Sequence, residues 1–162
     1  MEKPDVKLQR LTPMTVAYVH ADGPNPEEDA LKIIMQYSTT NGLTQKKGAR
    51  LFGRNTYPTD APEPHGYEYY LTVESGVKSG GEISIKEVPG GLYAVLEVKN
   101  LFNIVEGWKS LFSWVESKGH EPVGLTKGEH GWVNSAFEEL VNWQEDKPPT
   151  EWVFNLWVQL KK

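Results

Sequence analysis

Apolar residues recur with two different periods along the chain, and the same succession of periods occurs twice. In the first half, two stretches with the pattern of strands, Val6–Leu11 and Met14–His20, precede an apolar stripe at helical spacing that begins at Ala30. Gly42 is placed to end this helix. Two further predicted strands complete the half: Leu51–Tyr57 and Tyr67–Val73.

The second half follows the same order. Ile83–Val88 and Leu92–Val98 are predicted strands, and the apolar face of a helix then begins at Ile104. Gly119 is placed to end this second helix. Two strand-like stretches follow it: Val133–Trp143 and Trp152–Leu160.

The two halves also correspond residue by residue. One constant shift places Ala17 on Ala94 and Gly42 on Gly119. Beyond the second helix the shift grows, and the corresponding pairs become Phe52-Gly53 with Phe137-Glu138, and Tyr70 with Trp157. These correspondences indicate an internal duplication, which is too short to form a solenoid.

We therefore predict an α+β fold built as a tandem β-α-β-β duplication. The repeats cover approximately residues 5–75 and 82–161 of a single domain that spans residues 1–162. A pseudo-twofold axis is expected to relate them, with antiparallel sheets and both main helices on one side of the shared sheet. Two units arranged in this way enclose a central cleft.

The most unusual local feature is an adjacent carboxylate pair, Glu138 and Glu139, inside the apolar run Phe137–Val141. Side chains alternate between the two faces of a strand, so one of the two glutamates must face the buried side. A buried carboxylate is costly without compensation. No lysine or arginine lies between Lys127 and Lys147, which suggests that a ligand compensates the charge. The pattern leaves open which glutamate it is.

Composition narrows the classes of partner. The formal charge is −5 without a concentrated basic stripe, which argues against direct nucleic-acid binding and favours a cationic or neutral ligand. The chain has no cysteine, and its four histidines lack metal-ligand spacing, so we predict no metal and no cofactor. A signal peptide and an apolar run of about 18 residues are both missing, and the expected compartment is the cytoplasm without a membrane span.

A family resemblance rests on the order of several segments. They are Pro13 with Ala17 and Tyr18, the segment EVPGGLYAVLEV, a helix with Trp108, Leu111 and Trp114, the step Phe137-Glu138, and the closing FNLWVQL. In this order the chain resembles the GyrI-like small-molecule-binding domain. The same domain forms the effector-binding part of bacterial multidrug-sensing regulators of the AraC and MerR types.

The resemblance implies a duplicated α+β fold with a hydrophobic cleft that accepts lipophilic, often cationic, compounds. A glutamate at its floor falls on Glu138, with Glu139 as the alternative. Six aromatic residues are expected to line the walls of the cleft, and packing in the core is the alternative role for them. They are Phe52, Tyr70, Tyr93, Trp108, Trp143 and Trp157. No helix-turn-helix precedes Val6, so a stand-alone form without direct DNA binding is expected.

Two functions of different classes use the same cleft. The first is a sensor or sequestering protein for hydrophobic cations, selected by the carboxylate and by aromatic faces. The second is a hydrolase of strained cyclopropane-containing xenobiotics, which the resemblance permits and in which Glu138 would be the catalytic group. The sequence does not separate the two functions, because both need the same cleft. Binding is the preferred interpretation, and the absence of a nucleophile motif fits it. The sequence identifies no protein partner, and inhibition of a protein target is a weaker third hypothesis.

Overall fold

A computed structural model of the chain describes residues 5–55, 65–74, 79–88, 90–122 and 136–161. The elements of the first repeat come in the predicted order: β1 (Lys7–Leu11), β2 (Met14–Gly23), α1 (Pro26–Thr40), β3 (Leu51–Asn55) and β4 (His65–Thr72). Those of the second repeat are β5 (Ser84–Val88), β6 (Gly91–Lys99), α2 (Ile104–Ser117), β7 (Ala136–Leu140) and β8 (Val153–Leu160). Short 3₁₀ turns span Leu43–Gln45, Leu101–Asn103 and Pro149–Glu151.

All eight of these strands form one antiparallel sheet, in the order β1-β6-β8-β7-β3-β4-β2-β5, which curls into a half-barrel. The order is symmetric about the β7–β3 pair, where the two repeats join. The first strand of each repeat crosses to the other repeat, since β1 pairs with β6 and β5 pairs with β2. The predicted duplication with pseudo-twofold symmetry is confirmed.

The residue correspondences have a physical basis in the structure. Ala17 and Ala94 are both fully buried beneath the helices of their own repeats. Gly42 and Gly119 follow the two helices with φ of 69° and 74°, a left-handed conformation that glycine adopts without strain. The same local chemistry therefore ends both helices.

Both helices lie on one face of the sheet, as predicted. The stripe of α1 that includes Ala30 and Ile34 is fully buried, and so is Leu111 of α2. The first turn of α1 and Ile104 of α2 line a common cleft together with Leu51, which places the two helices side by side on this face. We call this face of the sheet the helix face.

The opposite face of the sheet carries an aromatic core of its own. Phe52, Tyr70, Tyr93, Phe137 and Trp157 are each at most 8% exposed there. Among the described residues no helix covers them, so it is the curl of the sheet that packs these rings against one another. We call this side the aromatic face.

One predicted strand is too long. Val133–Trp143 was expected to be strand throughout, whereas β7 covers only Ala136–Leu140, and residues 141–144 form a turn. The Asn142 side chain stabilises the turn, because its Nδ2 donates to the Glu151 carbonyl and its Oδ1 accepts from the Val153 amide. Residues 133–135 lie outside the described residues.

In the described chain, neither helix has the length and apolar character that a membrane span requires.

Candidate functional site

A cleft of about 370 Å³ opens on the helix face between the first turns of α1 and α2. Its floor is formed by the central strands β3, β4 and β7, where the two repeats meet. Twelve residues line it: the carboxylates Glu27, Glu28 and Glu138, the aromatic residues Tyr67, Tyr69, Trp152 and Phe154, and the aliphatic residues Leu31, Leu51, Leu101, Ile104 and Leu140. The cleft therefore combines a largely apolar wall with acidic groups.

Glu138 projects into this cleft from β7. Its Oε1 accepts a hydrogen bond from Trp108 Nε1 at 3.2 Å, and its Oε2 accepts one from the Tyr67 hydroxyl at 3.1 Å. Within the described chain no lysine or arginine pairs with it. Burial raises the pKa of Glu138, the two hydrogen bonds oppose that rise only in part, and the charge of Glu27 adds to it. Both carboxylate oxygens thus have neutral donors, and among the described residues the charge has no counter-ion.

Gly53 makes the Tyr67 contact possible. It lies directly opposite Glu138 in the β3–β7 ladder, and it is also the residue that corresponds to Glu138 in the first repeat. A Cβ atom at Gly53 would lie 2.5 Å from the Tyr67 hydroxyl oxygen and 2.7 Å from its Cε1. One repeat therefore supplies the carboxylate, and the other supplies the empty space through which the tyrosine reaches it.

Glu139 points to the aromatic face and is compensated internally. Arg50 binds it with two hydrogen bonds, Nε to Oε2 at 2.8 Å and Nη2 to Oε1 at 2.9 Å. Trp157 Nε1 donates to Oε1 at 3.0 Å, and Asn155 Nδ2 lies 3.4 Å from the same oxygen. Of the two adjacent glutamates, the one that lines the cleft is Glu138.

Four of the expected wall residues, Phe52, Tyr70, Tyr93 and Trp157, lie on the aromatic face with Glu139. Cations of the protein itself cover several of these rings. The Arg50 guanidinium carbon lies 4.9 Å from the centroid of Phe52 and 5.6 Å from that of Trp157. The structure does not bring these four residues together with Glu138.

Tyr70 also takes part in a second buried carboxylate cluster on the aromatic face. Glu68 accepts hydrogen bonds from the hydroxyls of Tyr70 and Tyr18, lies 3.0 Å from His20 Nδ1 and pairs with Arg54 at 3.2 Å. Burial alone would raise the pKa of Glu68. The hydrogen bonds and the Arg54 charge outweigh burial and bring the pKa to about 2. This carboxylate is therefore ionised and fully partnered.

The two remaining residues that were expected at the cleft, Trp108 and Trp143, lie in different parts of the structure. Trp108 donates a hydrogen bond to Glu138 and stacks on Phe112 with ring centroids 5.4 Å apart, so it packs in the core and holds the cleft carboxylate without lining the cleft itself. Trp143 lies in the core beneath α1, and its Nε1 donates to the Ala49 carbonyl. It follows the turn that ends β7, and for that reason it does not continue the strand that carries Glu138.

Some of the residues that line the cleft were not expected there from the sequence, namely Tyr67, Tyr69 and Trp152 and the acids Glu27 and Glu28. Alternation along β4 gives the missing signal for the tyrosines, since Tyr67 and Tyr69 must face away from Tyr70. Burial raises the pKa of Tyr67 well above its ordinary value, and the charge of Glu138 raises it further. Its hydroxyl accordingly keeps its proton and serves as a donor.

This architecture agrees with a comparison against known families. The family model described as a GyrI-like small molecule binding domain matches residues 4–161. The chain belongs to this family. Among curated proteins, none matches the chain.

Solved structures of other proteins share the fold. The crystal structure of the EcmrR C-terminal domain is 18% identical with a TM-score of 0.73, and the match covers 98% of each chain. EcmrR in its DNA complex is 20% identical with the same TM-score, and there the match covers 98% of this chain and 57% of EcmrR. The GyrI-like chain thus spans little more than half the length of that relative.

Two further structures share the fold, one with a bound ligand and one described as a hydrolase. SAV2435, solved bound to tetraphenylphosphonium, is 14% identical with a TM-score of 0.55, over 99% of this chain and 94% of its own. A hydrolase encoded by lin2189 from Listeria innocua is 11% identical with a TM-score of 0.67, over 98% of this chain and 93% of its own. At these identities the likeness establishes the fold alone.

Proposed function

We propose that the cleft on the helix face binds amphipathic organic cations and that Glu138 is the group that attracts the positive charge. The observation that carries the proposal is the environment of this carboxylate. Glu138 is partly buried, it accepts hydrogen bonds only from the neutral donors Tyr67 and Trp108, and in the described chain it has no basic partner. A ligand cation would supply the missing counter-charge.

The rest of the cleft suits the apolar part of such a ligand. Leu31, Leu51 and Leu140 offer aliphatic surface, while Tyr69 and Trp152 offer aromatic surface. A cation over an aromatic ring gains about 0.5–2 kcal/mol, and burial of apolar area adds roughly 25 cal/mol per Å². Such surfaces tolerate many shapes, so broad specificity is expected. The binding of SAV2435 to tetraphenylphosphonium is consistent with this class of ligand.

The comparison of Glu138 with Glu139 strengthens the assignment. Both are adjacent strand glutamates, yet Glu139 already has Arg50 and needs no further cation. Binding of a cation beside Glu138 would favour its ionised form and reverse the rise in its pKa. We infer that the protein acts as a sensor or sequestering protein, because binding of this kind requires no chemical step.

Titration with tetraphenylphosphonium tests this proposal, with the fluorescence of Trp108 and Trp152 as the signal. Glu138→Gln preserves the volume of the side chain and removes its charge. We expect this variant to lose about 1–3 kcal/mol of binding free energy, which corresponds to roughly 5- to 150-fold in affinity. Triphenylphosphine oxide, which is uncharged, is the matched ligand control and should be affected far less. Equal affinity of both proteins for the cation would contradict the proposal.

A second candidate function is hydrolysis of a strained ring at the same site. The observation that favours it is that burial raises the pKa of Glu138, while the Tyr67 hydroxyl donates a hydrogen bond that holds the carboxylate in place. Glu138 would accept a proton from a water molecule that attacks a cyclopropane carbon. As a ring C–C bond breaks, the water oxygen would form the new C–O bond, and Glu138 would return the water's proton to the released carbon to form the C–H bond.

Product analysis with a cyclopropane-containing electrophile separates the two functions. Turnover by the wild type that Glu138→Gln abolishes, and that follows one acidic titration, would place hydrolysis ahead of binding. Tight cation binding without turnover would leave binding as the function.

A further inference from the structure

Two large apolar side chains are exposed beside the cleft, at the start of α2. Phe102 is 75% exposed and Val105 is 60% exposed, and the two lie three residues apart in the chain. Their neighbours Leu101 and Ile104 line the cleft itself. Large apolar groups that are exposed together, rather than scattered singly, are typical of binding surfaces. We call Phe102 and Val105 the apolar rim.

The duplication shows that the fold does not require apolar residues at these two positions. The shift that superposes the helices places Asn25 on Phe102 and Glu28 on Val105. The first repeat is therefore polar at the positions where the second repeat has the apolar rim. Both repeats nevertheless form the same helix on the same sheet. The rim is a property of the second repeat alone, and the fold does not account for it.

The symmetry of the two repeats also indicates where the rim lies. Glu28 lines the cleft from α1, and its counterpart Val105 takes the equivalent place on α2. The pseudo-twofold relation is centred on the β7–β3 pair, which forms part of the floor of the cleft. Equivalent positions on the two helices therefore lie on opposite sides of its mouth. The rim continues the apolar wall of Leu101 and Ile104 to the outer edge of the cleft.

The turn that carries Phe102 is attached to the cleft wall. Asn100 precedes it with φ of 76°, an uncommon conformation for a residue other than glycine. The Asn100 Oδ1 accepts a hydrogen bond from the Phe102 amide at 3.0 Å. The Asn100 amide donates to the Trp152 carbonyl at 2.8 Å, and Trp152 lines the cleft. These bonds hold the backbone of the rim in a fixed position beside the cleft.

From this arrangement we infer that the ligand is longer than the cleft and that its apolar end leaves the cleft over the rim. The cleft volume of about 370 Å³ lies near the lower end of the range for small-molecule pockets, roughly 300–1,000 Å³. With its cationic end beside Glu138 at the floor, a larger ligand extends past Leu101 and Ile104, and Phe102 and Val105 then contact its tail. The ligand class is an amphipathic cation with an extended alkyl or aryl tail. This inference rests on the proposed function, because it assumes that Glu138 holds the cationic end.

Alkyltrimethylammonium ions test the inference, because the headgroup stays constant while the tail grows. The probes are the hexyl and dodecyl compounds, titrated by calorimetry below the concentration at which micelles form. Each CH₂ that is fully buried strengthens binding by about fourfold, and a CH₂ that is covered only on one side gains less. We expect the wild type to bind the dodecyl compound at least about tenfold more tightly than the hexyl compound. Equal affinities would overturn the inference.

Variants of the rim locate this gain. In Phe102→Ser/Val105→Ser, affinity for the dodecyl compound should fall at least about tenfold, while affinity for the hexyl compound changes by less than about threefold. Leu8→Ser is the matched control, because it removes a leucine that is 49% exposed on β1 and is not among the residues that line the cleft. It should change neither affinity. Circular dichroism checks that each variant retains its fold. A loss for the dodecyl compound as large in Leu8→Ser as in the double variant would overturn the inference.

A second copy of the chain is the competing occupant of the rim. Sedimentation of the wild type and of the double variant distinguishes the two occupants. We expect the same assembly state for both proteins. A wild-type dimer that the double variant dissociates would overturn the inference, because the partner would then cover the rim.

The two proposals fail in different ways. If the hexyl compound binds and Glu138→Gln weakens it, while the double variant keeps the full affinity for the dodecyl compound, only the present inference is wrong. If neither compound binds the wild type, the proposed function is wrong and this inference is wrong with it.

Discussion

Gly53→Ala is the most informative single substitution at the cleft, because it adds one methyl group where the structure has no room. The new Cβ would lie 2.5 Å from the Tyr67 hydroxyl oxygen, 2.7 Å from Cε1 and 2.9 Å from Cζ, against 3.4 Å or more for an ordinary contact. The ring must therefore retreat by roughly 1 Å, although Tyr67 is only 4% exposed. Overpacking of this kind costs about 1–3 kcal/mol of unfolding free energy, or about 2–4 °C of Tm per kcal/mol.

Displacement of the Tyr67 ring would also change the hydrogen bonding of Glu138. The hydrogen bond from the Tyr67 hydroxyl, 3.1 Å long, would stretch beyond the distance at which it is effective. That bond favours the ionised carboxylate and is worth about 1.5–3 kcal/mol, so its loss raises the pKa of Glu138 further. Below the raised pKa, affinity for tetraphenylphosphonium should fall by about 10- to 100-fold.

The assay is a cation titration with a thermal melt for each variant. Gly80→Ala is the matched control, because no atom of the described residues lies within 4 Å of a Cβ there, and it should change neither the affinity nor the Tm. Tyr67→Phe removes the hydroxyl alone, so in that background Gly53→Ala should have little further effect on affinity. If Gly53→Ala behaves like Gly80→Ala, or if its effect on affinity persists in full with Tyr67→Phe, the assigned role of Gly53 is wrong.

Three further predictions concern titration and packing. Because burial raises the pKa of Glu138, affinity for tetraphenylphosphonium should rise with pH through that pKa and then level off. Binding titrations at several pH values check this, and the Glu138→Gln variant should show no such rise. Glu68 has a pKa of about 2 against 4.5 for the free residue, so its stabilising contribution is present above about pH 4.5 and is lost as pH falls towards 2. Urea unfolding should register that loss, up to roughly 3 kcal/mol, and Glu68→Gln should lack it. Ser38 Oγ is buried and has no hydrogen-bond partner among the described residues, and its counterpart in the other repeat is Val115. Ser38→Ala should therefore raise the unfolding free energy by about 1 kcal/mol in the same assay.

The duplicated fold could be predicted from the sequence because its signals are local. The glycines that end the helices adopt the conformation that glycine favours, and Ala17 and Ala94 occupy equivalent buried sites. The end of β7 was not predictable in the same way. Apolar residues continue to Trp143, and the turn depends on Asn142, whose bonds reach a segment about ten residues further along the chain.

The site could be predicted only as a pair of alternatives. Alternation shows that Glu138 and Glu139 face opposite sides, but it does not say which side the helices cover. The partner of Glu139 is Arg50, which lies in the other repeat and is brought close by the β3–β7 pairing. Tyr70 was expected at the cleft because it corresponds to Trp157. That correspondence is real, yet both residues share the aromatic face.

A crystal structure of the protein with bound tetraphenylphosphonium tests the central claim most directly, because the two faces of the sheet offer the cation different sites. We predict that the cation lies on the helix face between α1 and α2, with its charge nearest Glu138 and its phenyl rings against Tyr69 and Trp152. A cation bound instead on the aromatic face, against Tyr70 or Trp157, would contradict the account.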